Sequence, residues 1–387
     1  MTEGLDYRPG SADADCRARG VVITGMSVTS AFGHGTEVLR SGVLAGEPAF
    51  SRVTRFDPAL CRASVAAELP GQPVLADELV AVISQARAEA GIGGDDRSRC
   101  PLLLGLHSDP AAARQPSASR ATGSVAAQVS LRTGLSEPRV YTGACVAAST
   151  AIADAAALIA SGRGDRVVVA AGYLVEADSF SLFDTMRTLA ADGALRPFSK
   201  GRRGMLLGDG VAAVVLESAV SARVRDARIL ARLAGWGRAG DAYHVCQPRP
   251  DGTGLARAID NALRRAKVSP AEIGYVNASG SGTPASDAAE AAALHRAFGP
   301  VIAQVPVSST KSTHGHALEA SALIELVVTV LALRAGQLPV NAGFLAADEA
   351  CELDLVLGAP RRQPLRWALS VNSAFGGANT ALLVGPW

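Results

Sequence analysis

Residues 141–153, YTGACVAASTAIA, decide how this chain is read. One cysteine, Cys145, follows Gly143 and Ala144 and opens a run of small, helix-compatible residues. The run reaches Ser161, and Gly162 supplies the stop that helices need. A strand-like RVVVAA follows at 166–171. A cysteine at a helix N-terminus meets the positive end of the helix dipole and unpaired backbone N–H groups. Both favour thiolate over thiol, so the position suits a nucleophile. Most free cysteines are instead small buried hydrophobes. The stretch alone admits both readings.

Outward from it, strand-like and helical segments alternate. Toward the N-terminus, RGVVITGMSV (19–28) reads as a strand, 36–44 as a helix, 56–69 as short β, 75–90 as a helix and PLLLGL (101–106) as a buried strand. Residues 114–119 read as loop, 124–134 as helix and 139–142 as a strand leading into the cysteine turn. Toward the C-terminus, 206–217 (LLGDGVAAVVLE) is a glycine turn and a buried strand, and 229–238 is another strand. An amphipathic helix at 254–267 precedes Ser269-Pro270-Ala271-Glu272, a helix start with a capping-box glutamate. Strands at 275–278, 305–309 and 367–373 alternate with helices at 287–298 and 320–333. Several strands are continuous apolar runs, as in sheets covered by helices on both faces. Two such sets meet near 218–228, which implies a duplicated architecture.

The chain has 387 residues, 48% apolar but only 4% aromatic, so its core is built from Ala, Val and Leu. A net charge of +1, without basic runs interleaved with aromatics, speaks against nucleic acid. No apolar run approaches the ~18–20 residues of a membrane span. Residues 1–18 read as a disordered tail without a signal-peptide core. The six cysteines are scattered without metal-type spacing, which fits a cytoplasmic protein with free thiols. No metal-ligand cluster and no phosphate-binding GxGxxG after a strand is present, so no cofactor is expected.

From about Arg19 onward the chain resembles the elongating β-ketoacyl-ACP synthases of thiolase fold. The likeness rests on RGVVITGMSVTSAFGHG, TGAC, LRPFSKGRRGMLLGDGVAAVVLE, IGYVNASGSGTPASDAAEA, VSSTKSTHGHALEASALIE and NSAFGGANT, in that order. It implies an α/β, thiolase-like fold of duplicated βαβαβ halves in α-β-α-β-α layers. The halves would be 19–225, carrying the nucleophile Cys145, and 226–387, carrying Ser279, Lys311, His316 and Phe375. The resemblance further implies an acyl carrier protein as partner and a homodimer or close heterodimer.

In that family the cysteine takes an acyl group from the carrier's phosphopantetheine. Two histidines then hold a malonyl thioester as it loses CO₂ and attacks the acyl group. His316, in KSTHGH, matches the second histidine. The first is missing: where the family reads Asn-Ala-His-Gly, this chain has Asn277-Ala278-Ser279-Gly280. A serine hydroxyl donates one hydrogen bond but does no base chemistry near neutral pH. Losing one oxyanion donor typically costs ~10²–10³ in rate, with decarboxylation hit hardest. The oxyanion hole implied for Cys145 uses the N–H groups of Cys145 and Phe375, in Ala374-Phe375-Gly376-Gly377, with Phe375 as an acyl gate. Ala374 stands where a glycine is usual.

Lys311 matches the family's active-site lysine and Glu325 its carboxylate partner. His314 is considered as a stand-in for the missing histidine. Asp287 and Glu290 match acidic positions but read mainly as cap and first-turn charges. Arg203 replaces a usual aspartate. Glu319 replaces a glycine beside His316, whose pKa it would raise on contact. Arg202 and Arg203 are candidates for carrier docking, and His34, His107, His244 and His295 carry no motif.

The function expected is acyl transfer through Cys145 with decarboxylative condensation weak or lost, in polyketide or fatty-acid-type metabolism. Three alternatives stay open. They are a working β-ketoacyl synthase, a non-catalytic partner of chain-length-factor type, and a hydrolytic editor.

Overall fold

A computed structural model describes residues 20–93, 100–107 and 124–387. The expected tail (1–18) and the loop expected at 114–119 lie outside the described residues. In the first half, β1 (Val21–Ser30), β2 (Leu102–Leu106), β3 (Arg139–Tyr141), β4 (Arg166–Tyr173) and β5 (Gly210–Ser218) lie in the order β3-β2-β4-β5-β1. In the second, β6 (Ala231–Gly240), β7 (Tyr275–Asn277), β8 (Pro306–Ser308), β10 (Ala368–Ser373) and β11 (Ala378–Gly385) lie in the order β8-β7-β10-β11-β6. A short strand, β9 (Asp354–Leu355), extends the edge beside β8.

Numbered within each half, both orders are third, second, fourth, fifth, first. The directions repeat as well. The second strand is parallel to the third and fourth, and the fifth is antiparallel to the fourth and first. The two sheets join through a short antiparallel contact of β1 and β6 at Val21–Leu233, Val22–Arg232 and Ile23–Ala231.

Helices complete the layers. Helix α1 (Leu75–Glu89) covers the outer face of the first sheet. Helix α2 (Ala147–Ala160) and helix α5 (Ser321–Ala335) pack on each other between the sheets. Helices α3 (Thr253–Ala266) and α4 (Pro284–Phe298) cover the second sheet from outside. The result is the α-β-α-β-α arrangement.

The sequences follow from these places. Helix α5 is buried over Ser321–Leu333 with no polar stripe, because both flanks meet a sheet. Helix α2 is mostly alanine, which lets helix and sheet backbones approach closely. Helix α3, with one wet face, is strongly amphipathic and buries Leu255, Ala258, Ile259 and Ala262.

Boundaries shift modestly against expectation. The helix expected from Pro270 is a single 3-10 turn, Pro270–Glu272, closed by its capping box. The β character expected over 56–69 reduces to Val65–Ala66.

Candidate active site

The Cys145 turn is built at a strand-to-helix junction. Strand β3 ends at Tyr141, Cys145 lies on a 3-10 turn (Ala144–Val146), and α2 begins two residues later. Ala144 has φ 52°, a left-handed conformation that costs a non-glycine residue about 1–3 kcal/mol and marks functional turns. Cys145 sits partly exposed in a narrow cleft of about 60 Å³, lined also by Met205, Ser279, His316, Ser373 and Phe375.

The thiolate bias expected from the helix end is opposed by the surroundings. Burial pushes the Cys145 thiol up to about 12, the Glu319 carboxylate adds to the rise, and Lys311 opposes it. Thiol chemistry here therefore needs a route for the proton.

His316 reaches the cleft because two backbones cross tightly. The His316 N–H donates to Leu206 O at 2.8 Å and the Gly208 N–H donates to His316 O at 3.0 Å. A Cβ on Gly208 would stand 2.1 Å from His314 O, so glycine is required in the LLGDG segment. Asp209 pins that segment by accepting the N–H groups of Leu69 at 2.6 Å and Val175 at 2.7 Å, besides pairing with Arg55.

The ring of His316 is fixed from behind. Its Nδ1 accepts the Leu318 N–H at 3.0 Å and the Ser321 hydroxyl at 2.9 Å. The Ser321 oxygen in turn accepts the Ala317 N–H, so its own proton is free for the ring. The ring proton therefore resides on Nε2, which faces the cleft as a donor. Burial and the Lys311 charge hold His316 neutral, well below the ordinary histidine range.

Ser279 lies in the same cleft, and its Oγ accepts the Ser373 N–H at 3.4 Å. Its turn is clamped by Glu290, whose two oxygens accept the N–H groups of Ser279 and Gly280, each at 2.7 Å. Asp287 accepts from Gly282 at 3.0 Å and Phe198 at 2.8 Å. These two carboxylates are buried clamps of the turn, and the cap of α4 is Thr283. That corrects their reading as caps, while Asp287 does stand in the first turn of α4. They are three residues apart, so both project from one face of α4 toward the turn.

Lys311 is buried beside Glu325 in an ion pair and donates to Ser279 O at 2.6 Å. Glu325 also accepts from Asn372 Nδ2. The pair thus ties the Ser279 turn, helix α5 and strand β10 together behind the cleft. The rings of Phe375 and Phe183 lie 6.3 Å apart, tilted by 41°, on the cleft wall.

Four residues do not take the expected places. His314 is absent from the cleft walls. It is fully buried with Nε2 bonded to Thr310 Oγ1 at 3.1 Å, because its four-residue helix (Lys311–His314) turns it away from His316. Gly376 is also away from the cleft, and its N–H is taken by Val245 O at 2.9 Å. Glu319 meets His107, not His316, with Oε1 at 2.9 Å from Nδ1. Arg202 is buried, bonded to Asp348 at 2.5 Å and to Ser199 O at 3.1 Å, and offers no docking surface. Arg203 is exposed.

Comparison with known proteins matches this architecture to one family. Residues 79–222 match the description "Beta-ketoacyl synthase, N-terminal domain", and residues 230–345 match "Beta-ketoacyl synthase, C-terminal domain". The chain is 31% identical to "3-oxoacyl-[acyl-carrier-protein] synthase 2" of Coxiella burnetii, over 95% of this chain and 98% of that protein. It is 33% identical to "Putative polyketide beta-ketoacyl synthase 1" of Streptomyces halstedii, over 95% and 99%. Among solved structures, "The ishigamide ketosynthase/chain length factor" superposes with a TM-score of 0.86 at 28% identity, over 96% of this chain and 100% of that one. The chain belongs to the β-ketoacyl synthase family and has its thiolase-like fold.

Proposed function

We propose that this chain is a ketosynthase-family acyltransferase of polyketide or fatty-acid-type metabolism. Cys145 takes an acyl group from the phosphopantetheine of an acyl carrier protein and hands it to a second nucleophile, with decarboxylative condensation weak or lost. The carrier is the partner that the Coxiella relative's own name states. The working unit in this proposal is a homodimer or a heterodimer with a similar subunit. Acyl groups arrive on the carrier arm, and the scheme requires no other cofactor.

One observation carries the reading. Among the described residues, His316 is the single imidazole in the cleft, and its Nδ1 is already occupied by Leu318 and Ser321. It donates through Nε2–H and accepts no proton. The second polar place belongs to Ser279, where the family resemblance puts a histidine. One imidazole donor and one hydroxyl suffice to orient a thioester. They give far less support to the enolate charge that forms as malonyl loses CO₂, for which paired strong donors are needed.

Acyl loading asks less of this site. The Cys145 sulfur attacks the thioester carbonyl, the oxyanion meets the N–H groups of Cys145 and Phe375, and the carrier thiol leaves with the proton. Lys311, Glu325 and Glu290 act by positioning the Ser279 turn.

The test is intact-mass analysis with acyl- and malonyl-loaded carrier protein. Acylation of Cys145 without CO₂ release, followed by transfer to an added acceptor, is the expected result. Release of CO₂ with a two-carbon-longer product would overturn the reading. Absence of acylation from every loaded carrier would point to a silent partner subunit.

A further inference from the structure

The cleft that holds Cys145 is small, and its size bears on which acyl groups it admits. Its open space of about 60 Å³ gives room for on the order of four to six water-sized groups, at roughly 10–15 Å³ each. Three bulky apolar side chains line it together with Cys145: Phe183, Met205 and Phe375. They pack in one hydrophobic cluster with Ala148 and Ala151 of α2, the helix that Cys145 leads into. Leu255, a fourth apolar wall, belongs to the separate cluster of the second half. The bulk thus stands on the α2 side, where Cys145 is. A larger cavity of about 770 Å³ would hold a long chain, but Cys145 is not among the described residues that line it.

Two of the three walls are fixed to each other. Phe183 lies on the helix Ala177–Thr185, and its carbonyl accepts the Thr188 N–H at 3.1 Å and the Thr188 hydroxyl at 2.9 Å. Thr188 O in turn accepts the Met205 N–H at 2.9 Å, and Met205 O accepts the Ala190 N–H at 2.9 Å. A Cβ on Gly204 would stand 2.4 Å from Thr188 O, so the two segments already approach as closely as backbones can. Phe183 and Met205 are both buried, and neither backbone can retreat without breaking this bridge. Phe375 is half-buried on a turn followed by two left-handed glycines, Gly376 and Gly377. It is the wall able to move, and its displacement leaves the other two in place.

We propose that the acyl group taken by Cys145 is short and apolar, about two to four carbons long, and that Phe183 and Met205 set the limit. This rests on the acyl-transfer reading above and names its substrate class. In loading, the Cys145 sulfur bonds to the acyl carbonyl carbon, the carrier's C–S bond breaks, and the carrier thiol leaves with the cysteine's proton. The acyl chain stays behind in the cleft, beside the walls that α2 supports. The thioester carbonyl takes part of the open space, and a short chain fills the rest. A longer chain meets packed side chains on a fixed backbone, and a protein interior does not yield room for extra methylenes without strain.

The experiment compares chain lengths. Carrier protein loaded with acetyl, butyryl or octanoyl groups is offered to the full chain, and acylation of Cys145 is followed by intact mass. Acetyl and butyryl are expected to load about 100-fold faster than octanoyl. For Met205→Ala and Phe183→Ala, both checked for native melting, the ratio of octanoyl to acetyl loading is expected to rise about tenfold or more. The ratio is taken within one variant, so a general loss of activity cancels. The inference is overturned if wild type loads octanoyl within about threefold of acetyl, or if both variants keep the wild-type ratio within about threefold. The wild-type comparison stands even where a variant fails to fold. Wild type that loads every length alike keeps the acyl-transfer reading and removes this inference. Wild type that loads no acyl group of any length removes both.

Discussion

The Ser321 hydroxyl lies 2.9 Å from His316 Nδ1 and, with the Leu318 N–H at 3.0 Å, occupies the only ring atom able to accept a proton. The imidazole is thereby a fixed donor. Nitrogen NMR of the free protein should show one His316 ring nitrogen protonated and the other unprotonated throughout pH 5–8. Replacing His316 by alanine should slow acyl transfer by about 10²–10³, the usual cost of one lost oxyanion donor.

Ser279 shares the cleft with Cys145 and His316, on a turn held from behind by Glu290 and Lys311. Ser279→Asn or Ser279→Ala should leave CO₂ release from malonyl carrier as low as before. Ser279→His should raise it by roughly 10²-fold if the missing donor is what limits condensation. Trapping of released ¹⁴CO₂ reads this directly. A histidine variant that binds malonyl carrier without gaining CO₂ release would defeat the explanation.

Lys311 and Glu325 are fully buried partners. Lys311→Met leaves an uncompensated carboxylate and should lower unfolding free energy by about 3–5 kcal/mol. Removing both charges, with Lys311→Met and Glu325→Gln together, should recover much of that loss, because the new side-chain amide oxygen would still accept from Asn372. Urea denaturation of Lys311→Met, Glu325→Gln, the double variant and wild type forms the cycle.

His314 contributes to pH dependence in one direction. Burial and the Lys311 charge push its pKa down to about 3, whereas an unfolded-chain histidine titrates near 6.5. Below about pH 6.5 the unfolded state therefore binds more protons. The stability is fully present above that pH and is lost as pH falls toward 3, by at most ~1.4 kcal/mol per pH unit. His314→Gln should flatten the slope of unfolding free energy between pH 6.5 and 4.5. An unchanged slope would mean the buried ring is not the source.

Burial raises the Cys145 thiol pKa, and the charge of Glu319 raises it further. Glu319→Gln should lower that pKa, so that iodoacetamide alkylates Cys145 faster at any fixed pH below the thiol pKa. Rates across pH 7–10 for variant and wild type settle the sign.

How much of the site is legible in the sequence follows from distance along the chain. Cys145, Ser279, Lys311 and His316 stand in local turns whose residue types announce them, and the structure brings Cys145, Ser279 and His316 into one cleft with Lys311 directly behind. Asp287 and Glu290 are visible as acidic residues three apart. Their use as clamps is hidden, since a helix-opening acid and a buried turn acceptor look alike in a string. His107 carries no signal: its partner Glu319 is 212 positions away. Arg202 reads as a surface charge because nothing local reveals that Asp348, 146 positions away, encloses it.

By itself the sequence determined the alternation of strands and helices, the duplicated halves, and the turns that carry Cys145 and Ser279. Those features depend on periodicity and on short motifs, which are properties of neighbouring residues. Tertiary structure alone decided which nitrogen of His316 carries its proton, that Glu319 faces His107, and that burial and the Glu319 charge raise the Cys145 thiol pKa. Each depends on which segments lie against one another once two sheets and the helices between them have closed. A proton's position is set by the partner that arrives from elsewhere in the chain.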